Sequence, residues 1–366
     1  MTILVVLLAF ILLYWSVEAI RLHRALLAIP VRIHVNGSRG KSSVTRLVAG
    51  ALREAGIRTV AKTTGSRARL IHHDGAEDPV VRIGTPNICE QVGILELARR
   101  EGAQAIVMEC MAIRPDLQRI TEERIMRSTI GVITSVRPDH LDVMGPTVED
   151  VGAALSTTIP RRGVVIVGDA EHTRELRRQA SQRHARLVLA RPDDLPPGIL
   201  DQFGYLEHAQ NVATALAVAR QLGIPDQISL SGMLQAQPDP GACTHWRLEH
   251  RGVPIEFHNI FAANDLDSTL AIWQRLGLDG DPARDGRPTI AIVNLRGDRL
   301  DRSLQFAAAV ESRLRAGHYL LVGDIASTVR KRFEQRVPHG RLHIVGRSAP
   351  EQVFDRIAEI GRHGAR

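Results

Sequence analysis

The chain has 366 residues, of which 44% are hydrophobic and 24% charged, an ordinary balance for a globular protein and enough for two domains. Its net charge of +7 favours an anionic partner such as ATP, a polyanion or lipid headgroups, but the few aromatic residues do not alternate with basic runs, which argues against nucleic acid. Three widely spaced cysteines form neither a metal-binding pattern nor an even disulfide set, so a reducing compartment fits best.

The first predicted element is an apolar helix. Residues 3–15 are apolar without a break, and the run extends loosely to Ile20. Because about 20 apolar residues span a bilayer, we expect residues 1–28 to form a single-pass membrane anchor. Arg21 and Arg24 follow the run, so the positive-inside rule places the catalytic domains in the cytoplasm. A signal peptide and a buried N-terminal helix are the alternatives.

A glycine-bounded turn follows the first predicted strand, residues 31–35, and leads into a predicted helix at 42–55. It consists of Asn36, Gly37, Ser38, Arg39, Gly40, Lys41, Ser42 and Ser43, here called the phosphate loop. Strand, glycine turn, Gly-Lys-Ser and helix together indicate a phosphate-binding site, because backbone N–H groups and a helix N-terminus attract anions. We expect Lys41 to reach the β- and γ-phosphates of ATP and the Ser42 hydroxyl to bind Mg²⁺. An ordinary Gly/Ser turn is the alternative.

The spacing of the phosphate loop departs from the standard G-x-x-x-x-G-K-S pattern, which requires glycine where Val35 stands. The shorter form, Asn-Gly-x-x-Gly-Lys-Ser, resembles the loop of the Mur ligase superfamily, whose members use ATP to join an amino acid to a carboxylate. The resemblance implies a Mur-ligase-like P-loop ATPase domain with a mostly parallel sheet.

Predicted strands and helices alternate along the rest of the first domain. Strands are expected at 58–62, 104–109, 129–136, 164–168 and 186–190, and helices near 88–101, 147–158, 171–183 and 208–222. This alternation independently predicts a parallel sheet with both faces covered. Asn87, three residues before Glu90, is expected to cap the helix at 88–101.

Two charged features follow predicted strands, at the sheet edge where ligands of open α/β sheets bind. Glu109 closes the strand 104–109 and can hold Mg²⁺ together with Ser42, although a solvated charge at a strand end is the alternative. Asp139, His140 and Asp142 follow the strand 129–136. Their Asp-His-Leu-Asp string resembles the Asp-His-x-Asp signature of Mur ligases, which implies that His140 binds a second metal ion.

The segment beginning at Gln210 and Asn211 resembles a third Mur ligase element, His-Asn-x-x-Asn-Ala-Leu-Ala, whose first asparagine contacts the adenine. The resemblance assigns that role to Asn211, while Thr214 replaces the second asparagine. Without the resemblance, the segment is simply an alanine-rich core helix.

A Pro-rich break at 237–241 separates the predicted ATP-binding domain, residues 29–240, from a smaller Rossmann-like domain, residues 241–366. A hairpin is expected there at 246–250 and 253–258. A second alternating series follows, with helices at 265–276, 301–315, 325–335 and 350–359 and strands at 288–294, 318–322 and 341–345.

Two turns in this second domain resemble ligand-binding turns of Mur ligases. Asn264 and Asp265 stand where those enzymes carry an Asp-Tyr-Ala-His-type turn, and Asp298 and Arg302 belong to a Gly-Asp-Arg-type turn. The resemblance implies that Asp298 and Arg302 bind the nucleotide and that Asn264 and Asp265 bind substrate. Simple helix N-caps are the alternative.

Within the superfamily, the chain resembles the catalytic subunit of bacterial poly-γ-glutamate synthases, the PgsB/CapB type, over almost its whole length. The strings that carry the resemblance are Lys62-Thr63-Thr64-Gly65, Glu109-Cys110-Met111-Ala112, Asp139 to Pro146, Pro238 to Ala242 and Phe261 to Asp265. It implies a membrane-anchored enzyme that uses ATP and one or two Mg²⁺ ions and works with other membrane subunits of a synthase and export complex. A homo-oligomer is left open.

One departure from the Mur pattern concerns the metal. Many Mur ligases carry a carbamylated lysine some fifteen residues past the histidine, but residues 154–158 here contain no lysine. The number of bound ions is therefore left open.

The reaction implied by the resemblance joins two glutamates. A γ-carboxylate attacks the γ-phosphate of ATP to form an acyl phosphate, which the amine of another glutamate then attacks. Arg67 and Arg69 are candidate carboxylate-binding residues in a predicted loop, because guanidinium groups fork onto carboxylates; solvated loop charges are the alternative. A folylpolyglutamate-synthase-like enzyme, another Mur-type amino-acid ligase and a non-ligase P-loop NTPase are the alternative functions.

Overall fold

The structure is a computed structural model that describes residues 2–64, 68–82, 84–168, 171, 173–239, 244–261, 266–278, 283–284, 287–297 and 300–364. The chain divides into two compact units, Met1–Pro240 and Gly241–Arg366.

The first unit begins with helix α1, Thr2–Ala28, which is long and apolar enough to cross a membrane and is exposed along its apolar part. Its last turns instead pack against the body of the unit, where Ala25 joins a buried cluster with Leu95 and Ala98. The Arg32 guanidinium donates hydrogen bonds to the carbonyls of Leu26 at 3.1 Å and Ile29 at 2.7 Å. These bonds satisfy carbonyl groups where the helix ends and fix that end to the first strand.

An eight-stranded sheet forms the centre of the first unit. Its strands are β1 Val31–Asn36, β2 Thr59–Lys62, β3 Arg69–Ile71, β4 Glu77–Pro79, β5 Ala105–Glu109, β6 Ile130–Ile133, β7 Val164–Val167 and β8 Arg186–Leu189. The spatial order is β4-β3-β2-β5-β1-β6-β7-β8, and only the β3 and β4 pairings at one edge are antiparallel. The prediction of a mostly parallel α/β sheet is therefore confirmed.

Strand β1 lies between β5 and β6, with Val35 opposite Glu109 and Asn36 opposite Ile133. Since all three strands are parallel, the segments that leave them meet at one sheet edge. The phosphate loop, Glu109 and the segment after β6 are brought together for this reason.

Helices cover both faces of this sheet. They are α2 Lys41–Glu54, α3 Glu90–Arg100, α4 Pro115–Ile120, α5 Leu141–Met144, α6 Val148–Ser156, α7 Arg174–Gln182, α8 Ala209–Gln221 and α9 Asp226–Gln235. Helix α2 is buried from Val44 to Leu52 and packs with α8 and α9 on one face. A Cβ on Gly50 of α2 would lie 2.4 Å from the Gly232 carbonyl of α9, so this close helix crossing requires glycine.

A π-helical turn, Thr121–Met126, follows α4 and places the Glu122 side chain against strand β1. Glu122 Oε2 lies 2.8 Å from His34 Nδ1, and both side chains are buried. Glu122 Oε1 accepts hydrogen bonds from the Ser128 amide and hydroxyl. Strand β1 is thus held by a buried polar network as well as by its ladder.

Two sequence-based expectations in this unit are wrong in detail. The segment with Arg69 is not a loop, because Arg69 begins strand β3. Asn87 does not cap α3 through a capping box: its Oδ1 accepts from the Cys89 amide at 3.0 Å. Glu90 is unable to complete the box because its carboxylate binds Lys62 and Arg82.

The second unit contains a hairpin and a small parallel sheet. Its elements are β9 Thr244–His250, β10 Val253–Asn259, α10 Leu266–Arg275, β11 Ala283–Arg284, β12 Arg287–Pro288, β13 Ile290–Asn294, α11 Leu300–Ala309, β14 His318–Val322, α12 Ala326–Glu334, β15 Leu342–Gly346 and α13 Pro350–Gly364. Strands β13, β14 and β15 are parallel, and their core includes Tyr319 and Phe333. The predicted smaller α/β domain is confirmed, although α11 ends at Ala309 rather than at 315.

Candidate active site

The phosphate loop depends on two glycines with positive φ, Gly37 at 138° and Gly40 at 81°. A Cβ at Gly37 would lie 2.1 Å from Thr134 Oγ1, and one at Gly40 would lie 2.4 Å from Asn211 Oδ1. The loop therefore passes close to the segment after β6 on one side and to the start of α8 on the other, and only glycine fits both places.

The segment after β6 fixes the shape of the loop. The Ser38 amide donates to the Ser135 carbonyl at 2.9 Å, and the Arg39 amide donates to Ser135 Oγ at 3.0 Å. Thr134 Oγ1 donates to the Arg39 carbonyl at 2.5 Å. Ser38 Oγ in turn donates to the Arg137 carbonyl at 2.9 Å. These contacts preorganise the loop before any ligand arrives.

Asn36 supports the loop from beneath. Its Nδ2 donates to Gln118 Oε1 at 2.8 Å and to Thr158 Oγ1 at 3.2 Å, while its Oδ1 accepts from the Gly37 amide at 2.8 Å. All polar atoms of this buried side chain are thus engaged in the protein. Contact between the Asn36 side chain and nucleotide stays a prediction.

Helix α2 starts at the end of the loop, so its first N–H groups have no intrahelical acceptors. Lys41, the first helical residue, folds back so that its ammonium donates to the Gly37 carbonyl at 2.7 Å. Among the ion pairs of the described residues, none involves Lys41. A phosphate oxygen could therefore bind this ammonium without first breaking a salt bridge.

Ser42 and Glu109 meet beside this helix start. Ser42 Oγ donates to Glu109 Oε2 at 2.8 Å, and the Thr64 amide donates to the same oxygen at 2.7 Å. Glu109 is only 2% exposed, and the described part of the chain places no Lys or Arg nitrogen within 4 Å of its carboxylate. A buried carboxylate whose hydrogen bonds come from a hydroxyl and an amide, with no ion pair within 4 Å among the described residues, is suited to bind a cation. Hydroxyl and carboxylate oxygens are ligands that Mg²⁺ prefers.

Lys62 lies near this carboxylate and is fully buried at the end of β2. Burial lowers its pKa, although its ammonium binds the Glu90 carboxylate. Burial would raise the pKa of Glu90, but hydrogen bonds from Arg82 and Lys62 hold it below its usual value. The Lys62–Glu90 ion pair thereby helps to hold the end of β2, and the Thr64 amide that follows it donates to Glu109.

The Asp-His-Leu-Asp segment touches the phosphate loop through its first residue. Asp139 Oδ2 lies 3.3 Å from Arg39 Nη1. His140 has a left-handed backbone, φ 46°, and its side chain is 33% exposed. Within the described ranges, neither His140 nor Glu109 belongs to a cluster of three carboxylate, imidazole or thiolate ligands. A metal-binding role for His140 stays a prediction.

Asn211 lies against Gly40, as the loop geometry requires, and its Nδ2 donates to Glu207 Oε1 at 2.8 Å. Thr214 Oγ1 donates to the Gln210 carbonyl at 2.6 Å, so the threonine that replaces the Mur asparagine is used within α8. The structure brings Asn211 to the loop, and its contact with adenine stays a prediction.

Comparison with known proteins identifies the family of this chain. Residues 35–197 match the Mur ligase middle domain, and residues 246–365 match the poly-gamma-glutamate synthase CapB C-terminal domain. PGA synthase CapB of Bacillus subtilis (strain 168) is 39% identical over 358 residues, which cover 97% of this chain and 90% of that relative. The chain belongs to the CapB family of poly-γ-glutamate synthases.

Solved structures support the fold of this CapB family member. E. coli FolC in complex with DHPP and ADP has a TM-score of 0.67 at 17% identity, covering 94% of this chain and 86% of that one. A bifunctional folylpolyglutamate synthase/dihydrofolate synthase with Mn, AMPPNP and L-glutamate bound has a TM-score of 0.59 at 16% identity, covering 93% and 92%. The first of these structures holds ADP, and the second holds Mn and the nucleotide AMPPNP.

Membership of the CapB family makes this chain an ATP-dependent ligase and decides against a non-ligase NTPase. The low identity to folylpolyglutamate synthases shows a shared fold only. The folylpolyglutamate-synthase-like alternative therefore has no support beyond that fold.

Several predicted site residues of this CapB family member are not tested by the geometry. Arg67, Asn264, Asp265 and Asp298 lie outside the described residues, whereas Arg302 lies on α11. Arg69 donates its amide to Thr63 Oγ1 at 3.2 Å, and its buried Nε has no hydrogen-bond partner in the described chain. This Nε is consistent with a binding role for Arg69.

Sequence reasoning missed the residues that position the site, namely Thr64, Gln118, Thr134, Ser135 and the buried role of Lys62. One signal was available: Thr134 and Ser135 follow the β-branched run of β6 and precede Asp139 and His140. Small hydroxyl residues at that strand end are suited to hold a neighbouring loop.

Proposed function

We propose that this CapB family ligase performs its chemistry at the phosphate loop. It activates a glutamate γ-carboxylate with ATP as an acyl phosphate and joins it to the amine of another glutamate, which lengthens poly-γ-glutamate. The observation that carries the proposal is the meeting of Ser42 and Glu109, 2.8 Å apart, beside the start of α2.

Mg²⁺ fits the donor set at this point, with Ser42 and Glu109 as its proposed ligands. When bound, the ion supplies positive charge that offsets the negative charge of the phosphate oxygens. We propose His140 as a ligand of a second ion. The proposed site at Ser42 and Glu109 does not depend on that second ion.

The first step transfers the γ-phosphoryl group. A carboxylate oxygen of the substrate attacks the γ-phosphorus while the bond to ADP breaks. The Lys41 ammonium moves from the Gly37 carbonyl to the phosphate oxygens, and the free N–H groups at the start of α2 hold the same oxygens. Catalysis here consists of positioning and charge stabilisation.

The second step forms the amide. The amine nitrogen attacks the acyl carbon, phosphate leaves with its electron pair, and the nitrogen loses a proton. We propose Arg67 and Arg69 as carboxylate-binding residues for the substrates, because glutamate and its polymer are anionic. Roles for Asn264, Asp265, Asp298 and Arg302 in binding substrate and nucleotide are proposed from the Mur resemblance alone.

We further propose that α1 spans the membrane and that the catalytic units face the cytoplasm. The exposed apolar part of α1 and the positive residues Arg21 and Arg24 after it support this orientation. Use of ATP requires a compartment that contains it. Membrane subunits that export the polymer are the proposed partners.

The test uses the full chain in detergent or in membrane vesicles with ATP, Mg²⁺ and glutamate. ADP, phosphate and a γ-linked glutamate product are expected in equal amounts. Formation of AMP and pyrophosphate would contradict an acyl phosphate. Absence of magnesium-dependent ATP binding would contradict the assignment of the phosphate loop.

A further inference from the structure

The β9–β10 hairpin of the second unit carries a cluster that the ligase reaction does not use. His245, Glu256 and His258 each offer one ligand atom, and these atoms all lie within 4.8 Å of one another. Glu256 Oε1 lies 2.8 Å from His245 Nε2 and 3.8 Å from His258 Nε2. One carboxylate oxygen is thus shared between two imidazoles.

The register of the hairpin explains the convergence. His258 stands directly opposite His245 in the antiparallel ladder. Glu256 is two residues from His258 on β10, and alternate residues of a strand share a face. All three side chains therefore project from one face. The imidazole rings are stacked, with centroids 4.5 Å apart and an interplanar angle of 13°.

This face is the one turned away from the core of the second unit. The opposite face carries Phe257, whose ring lies 5.7 Å from that of Phe354 on α13. His250, at the other end of the hairpin but on the same face as Phe257, pairs with Asp355 of α13. The cluster thus has no packing role against α13, and its side chains are 25–48% exposed. An ion can reach it from solvent.

An ion pair between His245 and Glu256 would by itself add little stability at such an exposed position. It also does not explain why a second imidazole nitrogen approaches the same oxygen. Two histidines and one glutamate form a ligand set typical of Zn²⁺ and other divalent transition metals, whereas Mg²⁺ prefers oxygen ligands alone.

We propose that His245, Glu256 and His258 bind one divalent transition metal ion, with Zn²⁺ as the best fit. Tetrahedral zinc with bonds of about 2.0–2.2 Å separates its ligand atoms by about 3.3 Å. The carboxylate distances of 2.8 and 3.8 Å require only small side-chain rotations to reach that value. Three protein ligands leave a fourth position for water or a further ligand.

A consequence is that the metal cross-links the two strands of the hairpin. An ion that binds the folded state and not the unfolded state raises thermal stability by mass action. Metal binding should therefore be visible as a rise in Tm as well as in stoichiometry. Both readouts are independent of ligase activity.

The experiment measures Zn²⁺ binding to the full chain in detergent, by competition with a chromophoric chelator, with excess Mg²⁺ present to occupy oxygen-rich sites. His245→Ala, Glu256→Gln and His258→Ala are compared with wild type. Glu249→Gln, an exposed glutamate of β9 on the same face, and His339→Ala, an exposed histidine of the second unit, are matched controls.

Wild type and both controls should bind one more equivalent of Zn²⁺ than the three ligand variants. If a ligand variant still binds that equivalent, its affinity should be about tenfold or more weaker than that of wild type. Zn²⁺ should raise the Tm of wild type and controls only. The proposal is overturned if wild type binds no such equivalent, or if the ligand variants bind Zn²⁺ as the controls do. Metal-free Tm values identify a variant that fails to fold, and the remaining ligand variants then decide.

Discussion

Ser42 donates its hydroxyl proton to the same Glu109 oxygen that accepts the Thr64 amide. Three segments therefore converge on one atom: the start of α2, the end of β5 and the residues after β2. An arriving Mg²⁺ ion would need the lone pairs of the Ser42 oxygen, so the hydroxyl must turn its proton away. The proposed Mg²⁺ ligands thus already lie within hydrogen-bonding distance of each other, and the hydroxyl rotation is the change expected on binding.

Lys41→Ala should lower the rate of ATP turnover by about a hundredfold or more, because it removes a preorganised cation from the transferring phosphoryl group. ADP release by the full chain measures this effect. Lys331→Ala is the matched control, since Lys331 is an exposed lysine on α12. Full activity in Lys41→Ala would contradict the assigned role of the loop.

Glu109→Gln should abolish the magnesium dependence of ATP binding without lowering Tm. The amide is isosteric and can still accept a hydrogen bond, and the substitution removes a buried charge that has no cation within 4 Å among the described residues. Nucleotide binding at several Mg²⁺ concentrations, together with thermal unfolding, separates the two effects. Glu149→Gln, at an exposed position on α6, should change neither quantity. An unaltered Mg²⁺ dependence in Glu109→Gln would exclude this carboxylate as a ligand.

Gly40→Ala should weaken ATP binding more than it weakens folding. The left-handed backbone costs a residue with a Cβ about 1–2 kcal/mol, and the new Cβ pushes the Asn211 carboxamide away from the loop. Gly56→Ala is the control, because Gly56 has φ 76° and open space around it. Gly40→Ala should lose at least as much Tm as Gly56→Ala, because only the Gly40 variant displaces a neighbouring side chain, and only Gly40→Ala should lose nucleotide affinity. Equal affinities would show that the position of Asn211 does not matter.

The buried His34 and Glu122 pair should make stability fall with rising pH. Burial alone would lower the pKa of His34, but the Cys110 thiol and Glu122 carboxylate beside the ring raise it to about 10. Histidine in an unfolded chain has a pKa of about 6.5. Because the folded value is higher, the contribution is complete below about pH 6.5 and is lost as the pH rises towards 10.

Chemical unfolding between pH 7 and 9 tests this expectation, with a loss of up to about 1.4 kcal/mol of unfolding free energy per pH unit. Glu122→Gln should flatten the slope because it removes the anion that holds the proton on His34. Glu149→Gln should leave the wild-type slope unchanged. The same slope in Glu122→Gln as in wild type would contradict a charged His34.

The sequence predicts those parts of the fold whose signals are local. Strands β1 and β5 are β-branched runs with defined ends, and Gly40, Lys41 and Ser42 mark the turn between β1 and α2. The β3–β4 pair was missed because three-residue strands are too short to show a period of two. Arg69 was consequently assigned to a loop.

The contacts that hold the site residues in position could not be predicted either, but the reason is different. Ser135 contacts Arg39 across almost a hundred residues of sequence, and the buried Lys62 forms its ion pair with Glu90 of α3. Such contacts depend on strand order, which no local pattern specifies. The cluster of His245, Glu256 and His258 could be predicted in part, because a hairpin turn at Arg251 and Gly252 places His245 opposite His258.

The docked end of α1 lies at a fixed distance from the phosphate loop. Arg32 fastens that end to β1, and the six residues of β1 then lead straight to the phosphate loop. At about 3.3 Å per residue, the strand covers about 20 Å. If α1 spans the membrane as proposed, about one strand length separates its docked end from the phosphate loop, so the proposed anchor and the proposed site of phosphoryl transfer are joined directly through β1.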